Sequence, residues 1–338
     1  MPEVHLFAPP AQLNDATHQY LASLSAVLDE LGHQLVHTPD LAAIPHRADV
    51  LTIECKSAAR ISLRRPQARL WQWLQGLYPE EARWQFDSPL REFAWNRVEG
   101  WALQRSRGAL MVSQAMQQHF AAKYPRLQLD SVVMPCVNAT PVPDAFRSPG
   151  KYRRPAFVYA GGLQRWQCMA ATLTAFAAVH RLLPEATLTL LTADQEQAAA
   201  LVQSLGTPST RIAYVPVADL PQALAAFKYG FVLREDHVVN RVATPTKVSS
   251  YMAAGVIPVM TRAAQDFAQR LEPTSPIVWL DNLDAAHIRQ RVLALEALPL
   301  DAESVLAAYR AAFDRYLDPA GYRPALRDFF SRTGMGAA

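Results

Sequence analysis

Residues 231–260 read FVLREDHVVNRVATPTKVSSYMAAGVIPVM, a stretch that places one helix between two short apolar runs of strand-forming residues. The first run is Phe231–Leu233, and the second begins directly after Gly255. Thr244 is predicted to be the N-cap of the helix, with a proline in the first helical position and a left-handed Gly255 closing it. A lysine in the first turn of a helix is unfavourable unless an anion lies there, so Lys247 indicates a phosphate site. A solvated surface lysine is the alternative.

A second loop of the same kind stands upstream. Residues 156–159 read as a buried strand, Gly161 and Gly162 as a tight turn, and 166–183 as an amphipathic helix. Two glycines let the backbone approach a ligand closely, and Arg165 could neutralise a phosphate there. Each loop alone could be an ordinary turn between a strand and a helix. Together, each with a cation, they are expected to face one cleft.

Both stretches resemble a known family of enzymes. Residues 159–166 (YAGGLQRW) and 244–259 (TPTKVSSYMAAGVIPV) are similar to motifs of the retaining, nucleotide-sugar-dependent glycosyltransferases of the GT-B fold, in particular of family 4. The resemblance implies that Arg165 and Lys247 hold the donor diphosphate and offset the charge that develops on it as the sugar leaves. It also implies retention of the anomeric configuration, without a protein nucleophile.

The sequence departs from this family at two positions. Ser250 stands where the family has a glutamate that binds the donor ribose, and Val242 stands at the position of a second glutamate. Glu235, Asp236 and Asn240, on the loop after the Phe231–Leu233 strand, could bind the sugar or ribose instead. A solvated loop is the alternative for Glu235 and Asp236. The residues expected to bind the donor are Gly161, Gly162, Arg234, Glu235, Asn240, Thr246 and Ser250.

The first half of the chain carries a turn that resembles the acceptor-side loop of some family members. Residues 73–81 read WLQGLYPEE, and the resemblance assigns Gln75 and Gly76 to acceptor binding. Gln75 can orient a sugar through hydrogen bonds but cannot take a proton. Glu80 is the candidate for proton transfer and Glu81 for acceptor binding, because repulsion between adjacent carboxylates would raise the pKa of one of them. An acidic first turn of a helix is the alternative.

The whole chain predicts an α/β protein of two domains. Its 338 residues and 50% hydrophobic content suffice for two cores, and strand-like runs alternate with helical stretches in both halves. This alternation predicts parallel sheets flanked by helices. The resemblance implies a GT-B arrangement of two Rossmann-like domains facing a central cleft. The expected domains are 1–145, which binds the acceptor, and 146–317, which binds the nucleotide-sugar, with a helix in 318–338 packing back on the first.

Strands and helices are predicted throughout both halves. The candidate strands are 5–7, 34–37, 50–54, 69–74, 110–112, 156–159, 187–192, 212–215, 231–233 and 257–260. The clearest candidate helices are 15–31, 89–106, 195–205, 220–227, 303–317 and 324–332.

The charge and the cysteine content limit which partners, cofactors and cellular location are expected for this chain. A net charge of +3 leaves no broad footprint for nucleic acid. The strongest basic run consists of Arg60, Arg64, Arg65 and Arg69. It suits a lipid diphosphate, an anionic glycan or peripheral contact with the inner face of a membrane, and a solvated face is the alternative. Three widely spaced cysteines match neither a zinc site nor a disulfide framework, and no signal peptide is apparent, so a cytoplasmic protein is expected. Without an acidic D-x-D cluster, no metal or other cofactor is expected.

These features predict a glycosyltransferase of polysaccharide biosynthesis, which moves a sugar from a nucleotide-diphosphate donor to a glycan or a lipid-linked saccharide. Ser250 favours a second hypothesis, a catalytically silent protein of the same fold that serves as a binding or scaffold subunit. A third hypothesis, a hydrolysing nucleotide-sugar epimerase, needs carboxylates around the anomeric carbon that the sequence does not place.

Overall fold

The computed structural model describes residues 1–9, 13, 15–137 and 139–335. The chain divides into two compact units, one of Met1–Val137, Val242–Thr244 and Pro319–Ala338, and the other of Asn138–Arg241 and Pro245–Asp318. Residues 139–145, which were predicted to lie in the first domain, belong to the second unit. The buried Phe146 that follows them packs against Tyr309 of that unit, with ring centroids 6.1 Å apart.

Each unit is built on a parallel six-stranded sheet. The first sheet contains β1 (Glu3–Phe7), β2 (Gln34–His37), β3 (Asp49–Thr52), β4 (Arg69–Leu74), β5 (Ser106–Met111) and β6 (Asp130–Val133), in the order β2-β1-β3-β4-β5-β6. The second contains β7 (Ala156–Ala160), β8 (Thr187–Leu191), β9 (Thr210–Ala213), β10 (Tyr229–Val232), β11 (Ile257–Thr261) and β12 (Val278–Leu280), in the order β12-β11-β10-β7-β8-β9.

Helices separate nearly all of these strands along the chain. In the described residues they are α1 (Asp15–Glu30), α2 (Cys55–Arg64), α3 (Tyr78–Phe86), α4 (Pro89–Gln104), α5 (Gln114–Lys123), α6 (Pro143–Phe146), α7 (Met169–His180), α8 (Gln195–Leu205), α9 (Leu220–Leu224), α10 (Val238–Arg241), α11 (Thr246–Ala253), α12 (Gln265–Leu271), α13 (Ala285–Glu296), α14 (Ala302–Ala312) and α15 (Arg323–Thr333). Short 3₁₀ turns at Leu41–Ala43, Lys151–Arg153, Arg165–Gln167, Val217–Asp219 and Pro319–Tyr322, and a π turn at Phe313–Leu317, complete them. The predicted α/β class is confirmed.

The last helix, α15, belongs to the first unit. The indole of Trp71 on β4 donates to Thr333 Oγ1 at 2.9 Å, and Arg332 pairs with Asp130 on β6 at 2.9 Å. A β-carbon built on Gly108 of β5 would lie 2.7 Å from the ring of Phe329, so glycine is needed for this helix to approach the sheet so closely. Burial of Trp71 and Phe329 therefore holds the end of the chain against the first sheet.

Aromatic residues form the core of the second unit between β7 and β10, where the order of the strands along the chain reverses. Phe157 of β7 stacks on Tyr229 and Phe231 of β10, with ring centroids 4.8 and 5.4 Å apart. From β7 the chain proceeds outward through β8 and β9, and it then returns to the other side of β7 with β10. The carboxyl ends of β7 and β10 therefore form a topological switch point, the usual ligand site of an open parallel sheet.

Helix α11 begins one residue later than predicted. Its N-cap is Pro245, not Thr244, and the hydroxyl oxygen of Thr244 instead accepts a hydrogen bond from the Cys136 amide at 3.1 Å. The amide of Val248 already donates to the Pro245 carbonyl at 3.1 Å. Thr246 and Lys247 therefore carry the amides at the open, positive end of the helix.

The predicted end of α11 at Gly255 is confirmed. Gly255 has a φ of 71°, and its amide donates to the Met252 carbonyl at 3.1 Å. The next amide, of Val256, donates to the Tyr251 carbonyl at 2.8 Å, which completes a Schellman motif. A β-carbon at Gly255 would also lie 2.7 Å from the ring of Phe146, so no other residue fits without strain.

Lys151 braces the same end of α11. Its side chain is 2% exposed, and its ammonium donates to the carbonyls of Ala254, Ala225 and Leu224 at 2.9, 3.1 and 3.3 Å. These carbonyls lie at the carboxyl ends of α11 and α9, where a positive charge is favourable. Burial nevertheless lowers the pKa of Lys151 to about 7. Two helices are thus tied together by one side chain.

Candidate functional site

Arg234 lies directly beyond β10, at the switch point of the second sheet. Its side chain is 8% exposed, and its Nη1 donates to the Trp166 carbonyl at 3.0 Å and to Asn240 Oδ1 at 3.3 Å. Its buried Nε has no hydrogen-bond partner among the described residues. In the described part of the chain no carboxylate lies within ion-pair distance of this guanidinium, whose pKa is lowered by burial. A buried arginine paired only with neutral oxygens is unfavourable unless an anion joins it.

Lys247 supplies a second cation at this place. Lys247 is half-buried, and its Nζ donates to Gln167 Oε1 at 2.7 Å and lies 4.8 Å from the ring centroid of Tyr159. Burial lowers the pKa of Lys247 well below its usual value, and the positive charge of Arg234 lowers it further. Mutual repulsion between these two cations would be relieved by a bound anion.

The glycine turn after β7 lies against this pair of cations. Gly161 has a φ of 134°, and a β-carbon built on it would lie 2.9 Å from Lys247 Nζ. Gly162 accepts a hydrogen bond from the Tyr159 hydroxyl, which fixes the turn. Glycine at 161 is therefore required both by the backbone conformation and by the space that the ammonium occupies.

The helix predicted over 166–183 is shorter in the structure. Arg165–Gln167 forms a 3₁₀ turn, and Cys168 has a φ of 51°, so the helix α7 begins at Met169 and ends at His180. The left-handed residue interrupts the apolar pattern that suggested one continuous helix. This turn presents the Gln167 side chain to Lys247 and leaves Arg165 exposed.

Three other residues predicted to bind the donor, Asn240, Glu235 and Ser250, differ in burial and in their hydrogen bonds. Asn240 is 1% exposed, and its amide nitrogen donates to the Glu235 carbonyl at 3.0 Å, so it holds the loop and Arg234 in place. Glu235 is exposed beside it. Ser250 donates through its hydroxyl to the Thr246 carbonyl at 3.2 Å, one turn earlier in α11. The serine hydroxyl thus engages the helix backbone at the position where the family has its ribose-binding glutamate.

Sequence reasoning gave no role to Gln167, Tyr159 or Thr261, although each contacts this site. Thr261 Oγ1 accepts from the Arg234 amide at 3.1 Å and donates to the Arg234 carbonyl at 2.8 Å. The predicted sheet could have identified Thr261, because it ends the strand beside β10. Gln167 could not be identified, since its role depends on the left-handed Cys168.

In the first unit, Glu80 is an ion-paired carboxylate. Its Oε1 lies 2.7 Å from Lys123 Nζ and 3.1 Å from His119 Nε2. Although burial opposes ionisation, hydrogen bonds from His119 and Lys123 lower the pKa of Glu80 to about 2. A carboxylate that stays ionised near neutral pH is poorly suited to the proton transfer predicted for it. Lys123 also binds Glu99, at 2.6 Å, on α4.

Glu81 is the neighbour whose pKa is raised. Burial is the main cause, the Leu77 amide opposes it, and the charges of Glu54, Glu80 and Glu99 add to it. The predicted split of the two carboxyl pKa values is thus present, but burial and not mutual repulsion is its main origin. Glu81 Oε1 accepts from the Leu77 amide at 3.1 Å, at the beginning of α3.

Gln75 and Gly76 lie in the turn between β4 and α3. A β-carbon on Gly76 would lie 2.2 Å from Glu81 Oε1, so glycine there lets the glutamate fold back over the helix end. The buried Nε2 of Gln75 has no hydrogen-bond partner among the described residues. The acceptor-side residues predicted from the sequence therefore share one turn at the carboxyl end of β4, next to Glu80.

The ion pairs of Glu80 make a pH dependence measurable. A carboxyl pKa lowered from 4.5 to about 2 stabilises the folded state by about 3 kcal/mol above pH 4.5, and this contribution is lost as the pH falls to about 2. Glu80→Gln is therefore expected to be less stable than the native protein at pH 6, with the difference largely gone at pH 2. Urea denaturation at several pH values measures it, and Asp236→Asn, at an exposed ion pair, is the control. A constant difference across that pH range would contradict the assignment.

Two of the four arginines in the basic run are part of the fold. Arg65 donates to the carbonyls of Ile44 and Leu41 at 2.8 and 3.1 Å, and Arg69 pairs with the buried Asp49. Their side chains thus stabilise the first unit, and their predicted contact with a membrane stays a prediction. Arg60 and Arg64 remain exposed on α2. Among the described residues, no helix is both long and apolar enough to cross a bilayer.

Metal ligands are not grouped in the described part of the chain: no set of three or more His, Cys, Asp or Glu residues there could hold a metal ion. The three cysteines are buried free thiols. Burial raises the pKa of Cys136 to about 12, and it also raises the pKa of Cys55. These thiols are accordingly unreactive and belong to the packing of their units.

The two parallel six-stranded sheets and their connections define the class of fold: this chain has the GT-B fold of glycosyltransferases. Neither a protein-family model nor the sequence of a curated protein matches the chain. Solved structures do. A sucrose-phosphate synthase from Thermosynechococcus elongatus is 13% identical with a TM-score of 0.74, and the match covers 100% of both chains.

Two further structures show the same similarity. HepE from Anabaena, solved in complex with UDP and glucose, is 13% identical with a TM-score of 0.72, and the match covers 98% of this chain and 100% of HepE. An α,α-trehalose 6-phosphate synthase from Burkholderia multivorans is 12% identical with a TM-score of 0.64, covering 96% of this chain and 79% of its own. At this level of identity the similarities establish the fold.

Proposed function

We propose that this protein is a glycosyltransferase whose second unit binds the diphosphate of a nucleotide-sugar donor. The observation that carries the proposal is the pair of cations at the switch point. Arg234 is buried with no carboxylate beside it in the described part of the chain, and Lys247 lies at the open end of α11. Anions bind readily at such helix ends, and two neighbouring cations suit the two charged groups of a diphosphate. Gly161 and Gly162 let the backbone reach the same group, and Arg165 is exposed next to them.

The proposed reaction uses these groups as follows. The bond between the anomeric carbon and the β-phosphate oxygen breaks, and its electron pair goes to the diphosphate. A new bond forms between that carbon and an acceptor hydroxyl oxygen, whose proton passes to the leaving phosphate. Arg234 and Lys247 stabilise the negative charge that develops on the diphosphate, and electrostatic stabilisation of this kind usually contributes most to catalysis. Attack from the same face retains the anomeric configuration, and the two cations would supply the charge that other enzymes take from a metal ion.

The fold neighbours favour a uridine donor. HepE was solved with UDP and with UDP-glucose, and a trehalose-phosphate synthase from Burkholderia vietnamiensis is described as UDP-forming. The acceptor is proposed to be a glycan or lipid-linked saccharide that binds near Gln75 and Glu81 of the first unit. Glu80 would there act as a fixed negative charge, since its low pKa keeps it ionised.

A second candidate, a catalytically silent protein of the same fold, is favoured by Ser250. Its hydroxyl is occupied by the Thr246 carbonyl, and Val242 stands at the position of the other expected glutamate. Such a protein could bind a nucleotide without transferring a sugar. Binding alone therefore tests the site, and turnover tests the enzyme.

The first test is calorimetric titration with UDP, GDP, ADP, CMP and dTDP. One diphosphate, UDP in the first place, is expected to bind, and Lys247→Ala is expected to weaken that binding roughly 10-fold or more because a buried charge-assisted contact is lost. Arg241→Ala is the control, because Arg241 lies on the same loop but pairs with exposed Asp236 at 2.6 Å. If none of these nucleotides binds, the assignment of the donor site is wrong.

A further inference from the structure

Helix α4 of the first unit is apolar on both of its faces. Its inner face buries Ala102 and Leu103, with Glu99 beside them. Its outer face exposes Leu90 at 76%, Phe93 at 64% and Trp101 at 37%. A helix on the surface of a soluble domain normally turns a polar face to water, so these exposed residues need a partner.

The exposed residues form one stripe. Positions 90, 93, 97 and 101 follow the spacing i, i+3, i+7 and i+11, which keeps them within about 100° on a helix of about 3.6 residues per turn. Arg97 belongs to this stripe and is itself exposed. The stripe therefore combines large apolar side chains with a guanidinium.

Arginine also lies over the exposed aromatic rings. The guanidinium of Arg91 is 4.2 Å from the ring centroid of the exposed Phe86, and that of Arg105 is 6.0 Å from that of Trp101. Arginine and aromatic residues together are typical of a surface that contacts both apolar chains and anionic groups.

Helix α2 extends this surface. It packs against α4, and its Ala58 and Ile61 share a core cluster with Ala102 of α4. Its outer face exposes Lys56, Arg60, Leu63 and Arg64, with Leu63 69% exposed. The segment Cys55–Arg64 contains no acidic residue. The outer side of α2 is therefore cationic, next to the apolar stripe of α4.

We propose that these two outer faces, together called the α2–α4 face, bind the surface of a membrane that contains anionic lipid. Large apolar side chains would enter the boundary between headgroups and acyl chains, and the arginines and lysine would contact lipid phosphates. Charge complementarity and side-chain type both favour this partner. A protein partner would leave three cations on α2 in need of matching carboxylates, whereas an anionic bilayer offers negative charge along the whole face.

The α2–α4 face is independent of the proposed donor site, because none of its residues lies in the second unit. A membrane surface would also bring a lipid-linked acceptor to the first unit, which is the acceptor side of the proposed reaction. Nucleotide binding by variants of the α2–α4 face therefore separates the two proposals.

The test is co-sedimentation of the purified protein with phosphatidylcholine vesicles, with and without about one third phosphatidylglycerol. Binding to the anionic vesicles only, and weaker at high salt, is expected. The double variants Leu90→Ser/Phe93→Ser and Arg60→Gln/Arg64→Gln are each expected to lower the partition coefficient roughly 10-fold or more. Their controls are Leu182→Ser and Arg211→Gln/Arg310→Gln, which change exposed residues of the second unit.

Three results would overturn the proposal. The first is no binding of the native protein to anionic vesicles. The second is binding that the α2–α4 variants retain in full. The third is a native protein that self-associates and does not bind vesicles, and that becomes monomeric in the Leu90→Ser/Phe93→Ser variant. The apolar stripe would then be an interface between copies of the protein. A circular-dichroism spectrum and a thermal unfolding midpoint like those of the native protein show that a loss of vesicle binding does not come from unfolding, and unchanged nucleotide binding shows that the donor site is unaffected.

Discussion

Arg234→Met is expected to lower kcat by roughly 10²-fold or more with the donor that calorimetry identifies. Among the described residues, the hydrogen bonds of the guanidinium go to two neutral oxygens, the Trp166 carbonyl and Asn240 Oδ1, so its charge is available to the diphosphate. The same replacement is expected to leave the free energy of unfolding unchanged or increased, because it removes a buried charge that pairs with no carboxylate of the described residues. An arginine that only supports the fold would show the opposite pattern, with lost stability and little change in kcat.

The control for this prediction lies on the same loop. Arg241 is exposed and paired with Asp236, so Arg241→Met is expected to change kcat less than about 2-fold, as is usual for exposed ion pairs. Steady-state kinetics and thermal unfolding of both variants give the comparison. Full activity in Arg234→Met would remove the central cation from the proposed mechanism.

Gly230→Ala is expected to lower the free energy of unfolding of the second unit by about 3 kcal/mol. Gly230 lies on the central strand β10, and an added β-carbon would stand 2.4 Å from the ring of Tyr251. Overpacking of a buried site typically costs about 1–3 kcal/mol. Displacement of Tyr251 would also break its hydrogen bond with the Ala160 amide, now 2.9 Å, at about 1 kcal/mol.

Urea denaturation measures this effect, and Gly321→Ala is the matched control. Gly321 lies in the first unit, and apart from its two chain neighbours no heavy atom of the described residues lies within 4 Å of a β-carbon built on it; its backbone is not left-handed. Equal urea midpoints for Gly230→Ala and the native protein would contradict this prediction, because they would mean that Tyr251 can move without loss of stability. Because Tyr251 lies on α11, the variant is also expected to bind the nucleotide more weakly.

The sequence predicted those strands whose apolar runs are bounded by clear breaks. Gln34–His37 and Arg69–Leu74 have the predicted bounds, and the fold class is confirmed. The edge strand β12 of the second sheet was missed, because three residues are too few to show an apolar pattern. Helix α2 was missed because it buries mainly alanine and serine, which leave little apolar periodicity.

The candidate site was predictable to the extent that it rests on local chemistry. Gly161 and Lys247 follow from glycine turns and helix ends, which are local features. Arg234 gained its importance only in the structure, because the absence of a carboxylate beside it among the described residues is a property of the folded chain. The low pKa of Glu80, which makes it poorly suited to proton transfer, could not be predicted for the same reason, since Lys123 comes from another helix of the first unit.

The brace that Lys151 forms has a consequence for the kinetics of binding. Its three hydrogen bonds and the Schellman motif restrain α11 at the end opposite Thr246 and Lys247. The amides of Thr246 and Lys247, which are proposed to bind phosphate, are therefore expected to hold their orientation before any ligand arrives, so that little conformational entropy is lost on association. A nucleotide should accordingly associate in a single diffusional step, and differences in affinity among nucleotides should appear mainly in how fast each one leaves.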